Sequence, residues 1–129
     1  MDPHTVEVNG QQHSARHILV ATGGSPQVPD IPGREFVLTS DDMFDLDPFP
    51  QRLVVVGGGY IACEFSSIFQ GLGAQVNLLI RADQSLRGLY ADVRNFVAAE
   101  RRKSCVYQQV CSGMQSITLT SKGLEVTLN

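Results

Sequence analysis

Residues 57–62, which read GGGYIA, match the pattern G-x-G-x-x-G/A, with Ala62 at its third small position. In this pattern Gly57 makes a tight turn, Gly59 lets a diphosphate approach the backbone, and Ala62 allows a helix to pack close to a strand. The first amide groups of a helix lack hydrogen-bond partners and carry partial positive charge, so they attract phosphate oxygens. The string alone is a weak signal, and its meaning depends on the elements around it.

The elements on either side of this glycine turn (residues 57–59) predict a βαβ unit. Residues 53–56 (LVVV) and 76–80 (VNLLI) are typical of buried strands. Between them, apolar residues recur at helical spacing and predict one stripe that faces a sheet: Ile61, Ala62, Phe65, Ile68, Phe69 and Leu72. The turn therefore joins a strand to a helix, which is the context in which it binds a dinucleotide.

Two arginines after the second strand bear on which dinucleotide is preferred. Arg81 follows that strand directly, and Arg87 lies six residues later. An NAD-specific unit usually places Asp or Glu at this strand end to hold the ribose 2′-hydroxyl. Guanidinium groups instead suit the 2′-phosphate of NADPH, because each offers a planar pair of donors. We therefore predict an NADPH site; a solvated surface pair is the alternative, and Asp83 is close enough to reach a ribose hydroxyl.

The first 24 residues predict a small β-rich unit. Residues 5–8 and 11–15 flank Asn9-Gly10, a pair that favours the tight turn of a hairpin. Residues 17–21 (HILVA) form a continuous apolar run that predicts a buried strand of a parallel sheet. Three prolines spaced three residues apart then favour an extended linker.

Residues 25–129 predict an α/β domain built around the βαβ unit. A short helix is expected near residues 41–46, and a longer one at residues 91–102 with Val93, Phe96 and Val97 facing inward. Residues 106–110 predict a third parallel strand. Alternation with period two predicts a closing hairpin from residues 116–120 and 124–128.

Composition excludes several classes of function. The chain has 129 residues and a net charge of −3, which argues against a nucleic-acid partner. No apolar run is long enough to span a membrane and no signal peptide is visible, so we expect a cytoplasmic protein. Its cysteines, Cys63, Cys105 and Cys111, form no C-x-x-C pair, which argues against a zinc site or a disulfide framework. They are expected to be buried or half-buried apolar side chains, and the histidines are expected to lie on the surface.

Several segments resemble the NADPH-binding domain of glutathione reductases. They are residues 55–64 (VVGGGYIACE), 71–74 (GLGA), 80–81 (IR) and 86–88 (LRG). Residues 18–24 (ILVATGG) and 29–33 (PDIPG) resemble the end of the FAD domain of these enzymes and the link that follows it. The resemblance implies a Rossmann-like parallel sheet with flanking helices and a C-terminal β-hairpin (residues 25–129), preceded by the remnant of an FAD domain (residues 1–24).

The resemblance also implies a role for individual residues. Gly57, Gly59 and Ala62 would hold the NADPH pyrophosphate, with Ile61 in the same cofactor-binding turn, and Arg81 and Arg87 would hold the 2′-phosphate. Tyr60 would be a mobile ring that covers the flavin. Glu64 would pair with a lysine beside the flavin, and Thr22 and Gly23 would contact FAD.

Enzymes of this kind pass a hydride from NADPH to FAD, and then electrons to a cysteine disulfide and to glutathione disulfide. The resemblance thus implies a homodimeric, FAD-dependent glutathione-disulfide reductase. Its C-x-x-x-x-C pair and its His-Glu pair have no counterpart in these 129 residues, so we expect no catalytic residue and no reductase activity in the chain alone. Alternatives are a lipoamide, trypanothione or mercuric type of relative, or a non-catalytic module that senses NAD(P).

Overall fold

The computed structural model describes residues 2–103 and 106–129. The strands of this part are β1 Thr5–Val8, β2 Gln11–Ser14, β3 Arg52–Val56, β4 Gln75–Leu79, β5 Tyr107–Gln109, β6 Met114–Thr120 and β7 Gly123–Leu128. The helices are α1 Tyr60–Gly71 and α2 Ala91–Lys103, with short 3-10 helices at Arg34–Phe36 and Asp42–Phe44. No helix in the described residues is long and apolar enough to cross a membrane.

A parallel sheet of order β3-β4-β5 forms the centre of the molecule. β4 is the middle strand, and Val76, Leu78 and Leu79 are buried in it, whereas Gln75 and Asn77 are exposed. The prediction of a buried strand was wrong for Val54 and Val56 of β3, which are 40% and 49% exposed, because successive side chains of a strand point to opposite faces and only Leu53 and Val55 pack against the core. Two antiparallel hairpins, β1-β2 and β6-β7, lie at the two ends of the chain. The predicted α/β class, the βαβ unit and the C-terminal hairpin are therefore confirmed.

The face by which α1 meets the sheet differs in part from the predicted stripe. Phe69 is buried in the core, and Ala62 and Phe65 pack against it. Ser66 is also fully buried, because its hydroxyl donates a hydrogen bond to the carbonyl of Ala62. The prediction was wrong for the remaining residues of the stripe, which are exposed: Ile61, Ile68 and Leu72. They lie about 100° around the helix from the buried row, because one residue turns the helix by that angle.

Helix α2 was predicted with the correct extent but with the wrong inward face. Val93 and Phe96 are exposed, and Val97 is half-buried. Arg101 is the buried residue of this helix. The sheet has three strands in the described residues, and its core is filled mainly by α1 and by the segment before β3. The apolar side chains at the start of α2 therefore have little surface to cover.

The predicted buried strand at residues 17–21 is absent. This segment has no regular secondary structure, and the side chains of Leu19 and Val20 are 89% and 78% exposed. A strand needs partners for its backbone groups, and each strand of the described residues belongs to one of the three sheets without this segment. The assignment of residues 1–24 to the end of an FAD domain remains a prediction.

The segment between residues 32 and 49 contacts both the C-terminal hairpin and the core, against which Met43 and Leu46 pack. The Ile117 amide donates to the Pro32 carbonyl (2.9 Å), and a side chain on Gly33 would overlap the carbonyl of Ile117. The short helix predicted near residues 41–46 is present as the 3-10 turn Asp42–Phe44. The backbone amide and hydroxyl of Thr39 donate to the Asp42 carboxylate, which lowers the pKa of that group below its ordinary value.

Among the described residues, the cysteine and histidine positions follow the predictions with one exception. Cys63 is buried, whereas Cys111 is exposed, so the expectation of burial was wrong for Cys111. Cys111 lies between β5 and β6, where it adopts a positive φ of 54°. Cys105 lies outside the described residues, within which no cluster of His, Cys, Asp and Glu could hold a metal. The three histidines are exposed.

Candidate functional site

The carboxyl ends of the three parallel strands bring the glycine turn and the arginine segment to one edge of the sheet. The Gly57 amide donates to the Leu79 carbonyl (2.9 Å), and the Ile80 amide donates to the Gln109 carbonyl (2.8 Å). The chain therefore leaves β3 and β4 side by side, just before Arg81. Ligands of open α/β sheets bind in the crevice beyond this edge.

Each glycine of the turn has a different environment. Gly57 has a φ of 145°, which favours glycine, and an added Cβ would lie 3.3 Å from the Cβ of Ala62. An added Cβ on Gly58 would lie 3.1 Å from the Ile80 side chain. An added Cβ on Gly59 would meet no atom within 4 Å. Gly57 is thus required by the fold, whereas the space beside Gly59 is open to a ligand.

The start of α1 supplies amide donors beside this open space. The first helical hydrogen bond runs from the Cys63 amide to the Gly59 carbonyl (3.2 Å). The amides of Tyr60, Ile61 and Ala62 come before it and have no acceptor within the helix. No side chain caps the helix, and its first turn carries no acidic residue. The turn therefore fits a diphosphate, which would accept hydrogen bonds from these amides.

The segment after β4, residues 81–90 (the arginine loop), is fixed against the glycine turn. The Leu86 amide donates to the Gly58 carbonyl, and Leu86 adopts a positive φ of 59°. Ser85, in the middle of the loop, is buried. Arg81 and Arg87 lie on either side of this anchored part, and both are exposed. Neither forms an ion pair with a carboxylate in the described part of the chain, so both can meet a phosphate.

Helix α2 holds the centre of the arginine loop through contacts that sequence reasoning missed. Nε of Arg94 donates to the Ser85 carbonyl (3.1 Å), and the side-chain Nε2 of Gln84 donates to Oδ1 of Asn95 (3.1 Å). A guanidinium nitrogen of Arg94 lies 3.9 Å from the Asp83 carboxylate. No spacing in the sequence marks Arg94, because these contacts depend on where α2 packs relative to the loop.

No described contact brings together the residues that are predicted to act near the flavin, although Tyr60 and Glu64 both lie near the start of α1. Tyr60 is 65% exposed, and Glu64 is exposed without an ion pair to the described residues. Thr22 and Gly23 are exposed, and an added Cβ on Gly23 would meet no atom within 4 Å. The described residues thus form no cradle for FAD around Thr22 and Gly23. The roles of these four residues remain predictions.

One family of known proteins matches the whole chain. The sequence profile of the pyridine nucleotide-disulphide oxidoreductases matches residues 1–129. The chain belongs to this family. Similar proteins include the chloroplastic/mitochondrial glutathione reductase of Pisum sativum, 52% identical over 88 residues, and the glutathione reductase of Burkholderia cepacia, 48% identical over 102 residues.

These alignments cover most of the chain but a small part of the relatives. They include 68% and 79% of the chain, yet only 16% of the Pisum sativum enzyme and 23% of the Burkholderia cepacia enzyme. The chain therefore corresponds to less than a quarter of the length of these two glutathione reductases.

Solved structures support the family fold. The Cu(II) complex of the HOCl-induced flavoprotein disulfide reductase from Escherichia coli matches with a TM-score of 0.79 at 27% identity, over 96% of this chain and 29% of that one. The water-forming NADH oxidase of Lactobacillus brevis, bound to NADH, has a TM-score of 0.70 at 19% identity, over 92% and 28%. Its engineered NADPH oxidase form, bound to NADPH, has a TM-score of 0.70 at 22% identity, over 94% and 29%. The last two likenesses show the fold alone.

Proposed function

We propose that this chain is the NADPH-binding part of an FAD-dependent glutathione-disulfide reductase. One observation carries the proposal: an open glycine turn at the start of α1 lies beside a loop that presents Arg81 and Arg87 without acidic partners in the described residues. Diphosphate and 2′-phosphate are the two anionic groups of NADPH, and each has a matching set of donors at this edge. The identities to two glutathione reductases support the choice of substrate.

The spacing of residues in the engineered oxidase supports NADPH over NADH. That protein differs from its NADH oxidase parent by five substitutions, two of which introduce arginines six positions apart. A third substitution introduces an alanine nineteen positions before the first of these two arginines. A fourth replaces the aspartate that directly precedes the first arginine. In this chain Arg81 and Arg87 are also six positions apart, Ala62 precedes Arg81 by nineteen, and Ile80 stands directly before it.

The residues of the chain bind and orient the dinucleotide. The amides of Tyr60, Ile61 and Ala62 hold the diphosphate, and the two arginines hold the 2′-phosphate. Bound NADPH supplies a hydride. The described residues build no cradle for FAD around Thr22 and Gly23. We propose that glutathione disulfide is the substrate, that the enzyme is a cytoplasmic homodimer, and that its disulfide chemistry uses a cysteine pair that these 129 residues do not contain.

Calorimetric titration of the chain with NADPH and with NADH tests the cofactor preference. We expect at least about a tenfold lower Kd for NADPH, since two exposed charge-assisted contacts to the extra phosphate are each worth roughly 1 kcal/mol. The preference should shrink as salt is added, because both arginines are exposed and salt screens them. Equal Kd values for the two cofactors would contradict the proposed NADPH site.

A turnover assay tests whether the chain alone is a catalyst. With NADPH, FAD and glutathione disulfide, we expect no oxidation of NADPH above the rate without protein, because the chain contains no C-x-x-x-x-C pair to pass electrons to the disulfide. NADPH absorbance is the measurement, and the Burkholderia cepacia glutathione reductase is the positive control. Sustained turnover by these residues alone would contradict this expectation.

A further inference from the structure

We infer that Arg94 is a positioning residue that sets the preference for NADPH over NADH by holding the arginine loop and by offsetting the charge of Asp83. This inference rests on the proposed NADPH site. Arg94 belongs to α2 and lies outside both the glycine turn and the arginine pair. Coenzyme preference is therefore expected to depend also on the contacts of α2 with the arginine loop.

The first part of the inference comes from the contact between Arg94 and Ser85. The Arg94 side chain is only 22% exposed, and its Nε donates to the Ser85 carbonyl at 3.1 Å. Ser85 is buried and lies between Arg81 and Arg87 in the chain. The Leu86 amide next to it is bonded to the Gly58 carbonyl. The middle of the loop is therefore fixed on two sides, by α2 and by the glycine turn.

Fixing the middle of the loop restricts the two ends that carry the guanidinium groups. A loop that is already ordered loses less conformational entropy when it binds, so its ligand binds more tightly. The benefit concerns the 2′-phosphate, since the predicted diphosphate contacts come from the amides of α1. Loss of the Arg94 contact is therefore expected to weaken NADPH binding more than NADH binding.

The second part of the inference concerns Asp83, the acidic residue of the loop. Its carboxylate is 88% exposed and lies 3.9 Å from a guanidinium nitrogen of Arg94. An unopposed carboxylate here would repel the 2′-phosphate and could accept a hydrogen bond from the 2′-hydroxyl of NADH. Arg94 offsets this negative charge and draws the carboxylate towards α2. Arg94 of α2 thus counteracts Asp83, the loop residue that could favour NADH.

The test is a double-mutant cycle on the 129-residue chain, with Kd values for NADPH and NADH measured by calorimetry. Arg94→Met should lower the preference ratio, Kd for NADH divided by Kd for NADPH, by about fivefold, the size expected for a partly exposed charge contact. Asp83→Asn alone should change the ratio by less than about twofold, because Arg94 already offsets the carboxylate. In the Arg94→Met background the same substitution should restore at least about half of the lost preference.

Lys103→Met is the matched control, since it removes one positive charge from the same helix. Lys103 pairs with Glu100 at 2.6 Å, and it has no described contact with the arginine loop. Its preference ratio should equal that of the wild type. Far-UV circular dichroism and thermal midpoints establish that each variant is folded.

The measured ratios distinguish a failure of the NADPH site from a failure of the role of Arg94. A wild-type chain without NADPH preference overturns the proposed function itself. A wild-type preference that Arg94→Met leaves unchanged, or a loss of affinity that is equal for both cofactors, overturns the role of Arg94. A lowered ratio without rescue by Asp83→Asn overturns the charge effect and upholds the loop contact. If Arg94→Met does not fold, Arg94→Lys replaces it: its ammonium lacks the planar fork, so the ratio should fall about threefold, and an unchanged ratio overturns the inference.

Discussion

Replacement of Gly59 by Asp is expected to abolish NADPH binding while the chain remains folded. Gly59 has extended backbone angles (φ −82°, ψ 175°) that any residue adopts, and an added Cβ meets no atom within 4 Å. Asp is also a better N-cap than Gly, by a few tenths of a kcal/mol. Its carboxylate would, however, lie where the diphosphate accepts hydrogen bonds from the amides of α1.

The expected loss of affinity is large. Two like charges about 4 Å apart repel by roughly 4 kcal/mol near a protein surface, and the diphosphate carries more than one charge. Since Gly59 is exposed, solvent screens part of this repulsion, and we expect at least about a hundredfold increase in Kd, equivalent to about 2.7 kcal/mol. Calorimetry measures the Kd, and the thermal midpoint should be unchanged or slightly higher.

Gly57→Ala is the matched comparison within the same turn. Gly57 has a φ of 145°, and the new Cβ would lie 3.3 Å from the Cβ of Ala62. We expect this variant to lose about 1–2 kcal/mol of stability because of backbone strain. The two substitutions thus separate a glycine needed for folding from a glycine needed for binding. NADPH affinity within threefold of the wild type for a folded Gly59→Asp chain would contradict the assignment of the diphosphate site.

Arg81→Glu is expected to reverse the coenzyme preference. The substitution removes an exposed charge-assisted contact to the 2′-phosphate, worth roughly 1 kcal/mol, and adds a carboxylate that repels the same phosphate. NADPH affinity should therefore fall by about a hundredfold. The new carboxylate stands at the strand end, where it can accept a hydrogen bond from the 2′-hydroxyl, so NADH affinity should stay the same or rise.

The control for Arg81→Glu is Lys122→Glu, which changes the net charge by the same amount in the turn between β6 and β7. Lys122 is exposed and contributes only backbone hydrogen bonds. If the preference depended on the overall charge of the chain, both variants would lose it. We expect calorimetry to find the loss only in Arg81→Glu. A retained NADPH preference in Arg81→Glu would exclude this arginine from the 2′-phosphate site.

The βαβ unit and the position of the site were predictable because their causes are local in the sequence. A β-branched apolar run, a glycine turn and a helical repeat follow one another within residues 53–80. Each of them favours one local structure without help from distant residues. The parallel pairing of β3 with β4 then brings the ends of both strands to one edge.

Burial was predicted less well, because it depends on which elements are present to cover an apolar side chain. The apolar run that contains Leu19 and Val20 predicts a buried strand. No strand in the described residues pairs with this segment, and both side chains are exposed. Phe96 read as inward-facing, yet the start of α2 leaves it exposed. Periodicity identifies which residues share a face of a helix, but only the packing partners decide which face is buried.

The sequence by itself determined that a strand, a glycine turn and a helix follow one another, and that two arginines come after the next strand. It determined these features because backbone freedom at glycine and apolar periodicity act over a few residues. The tertiary structure decided which side chains hold the arginine loop. Arg94 reaches Ser85 and Asp83 only because α2 packs beside the loop, and an interaction between separate elements depends on their relative position in space.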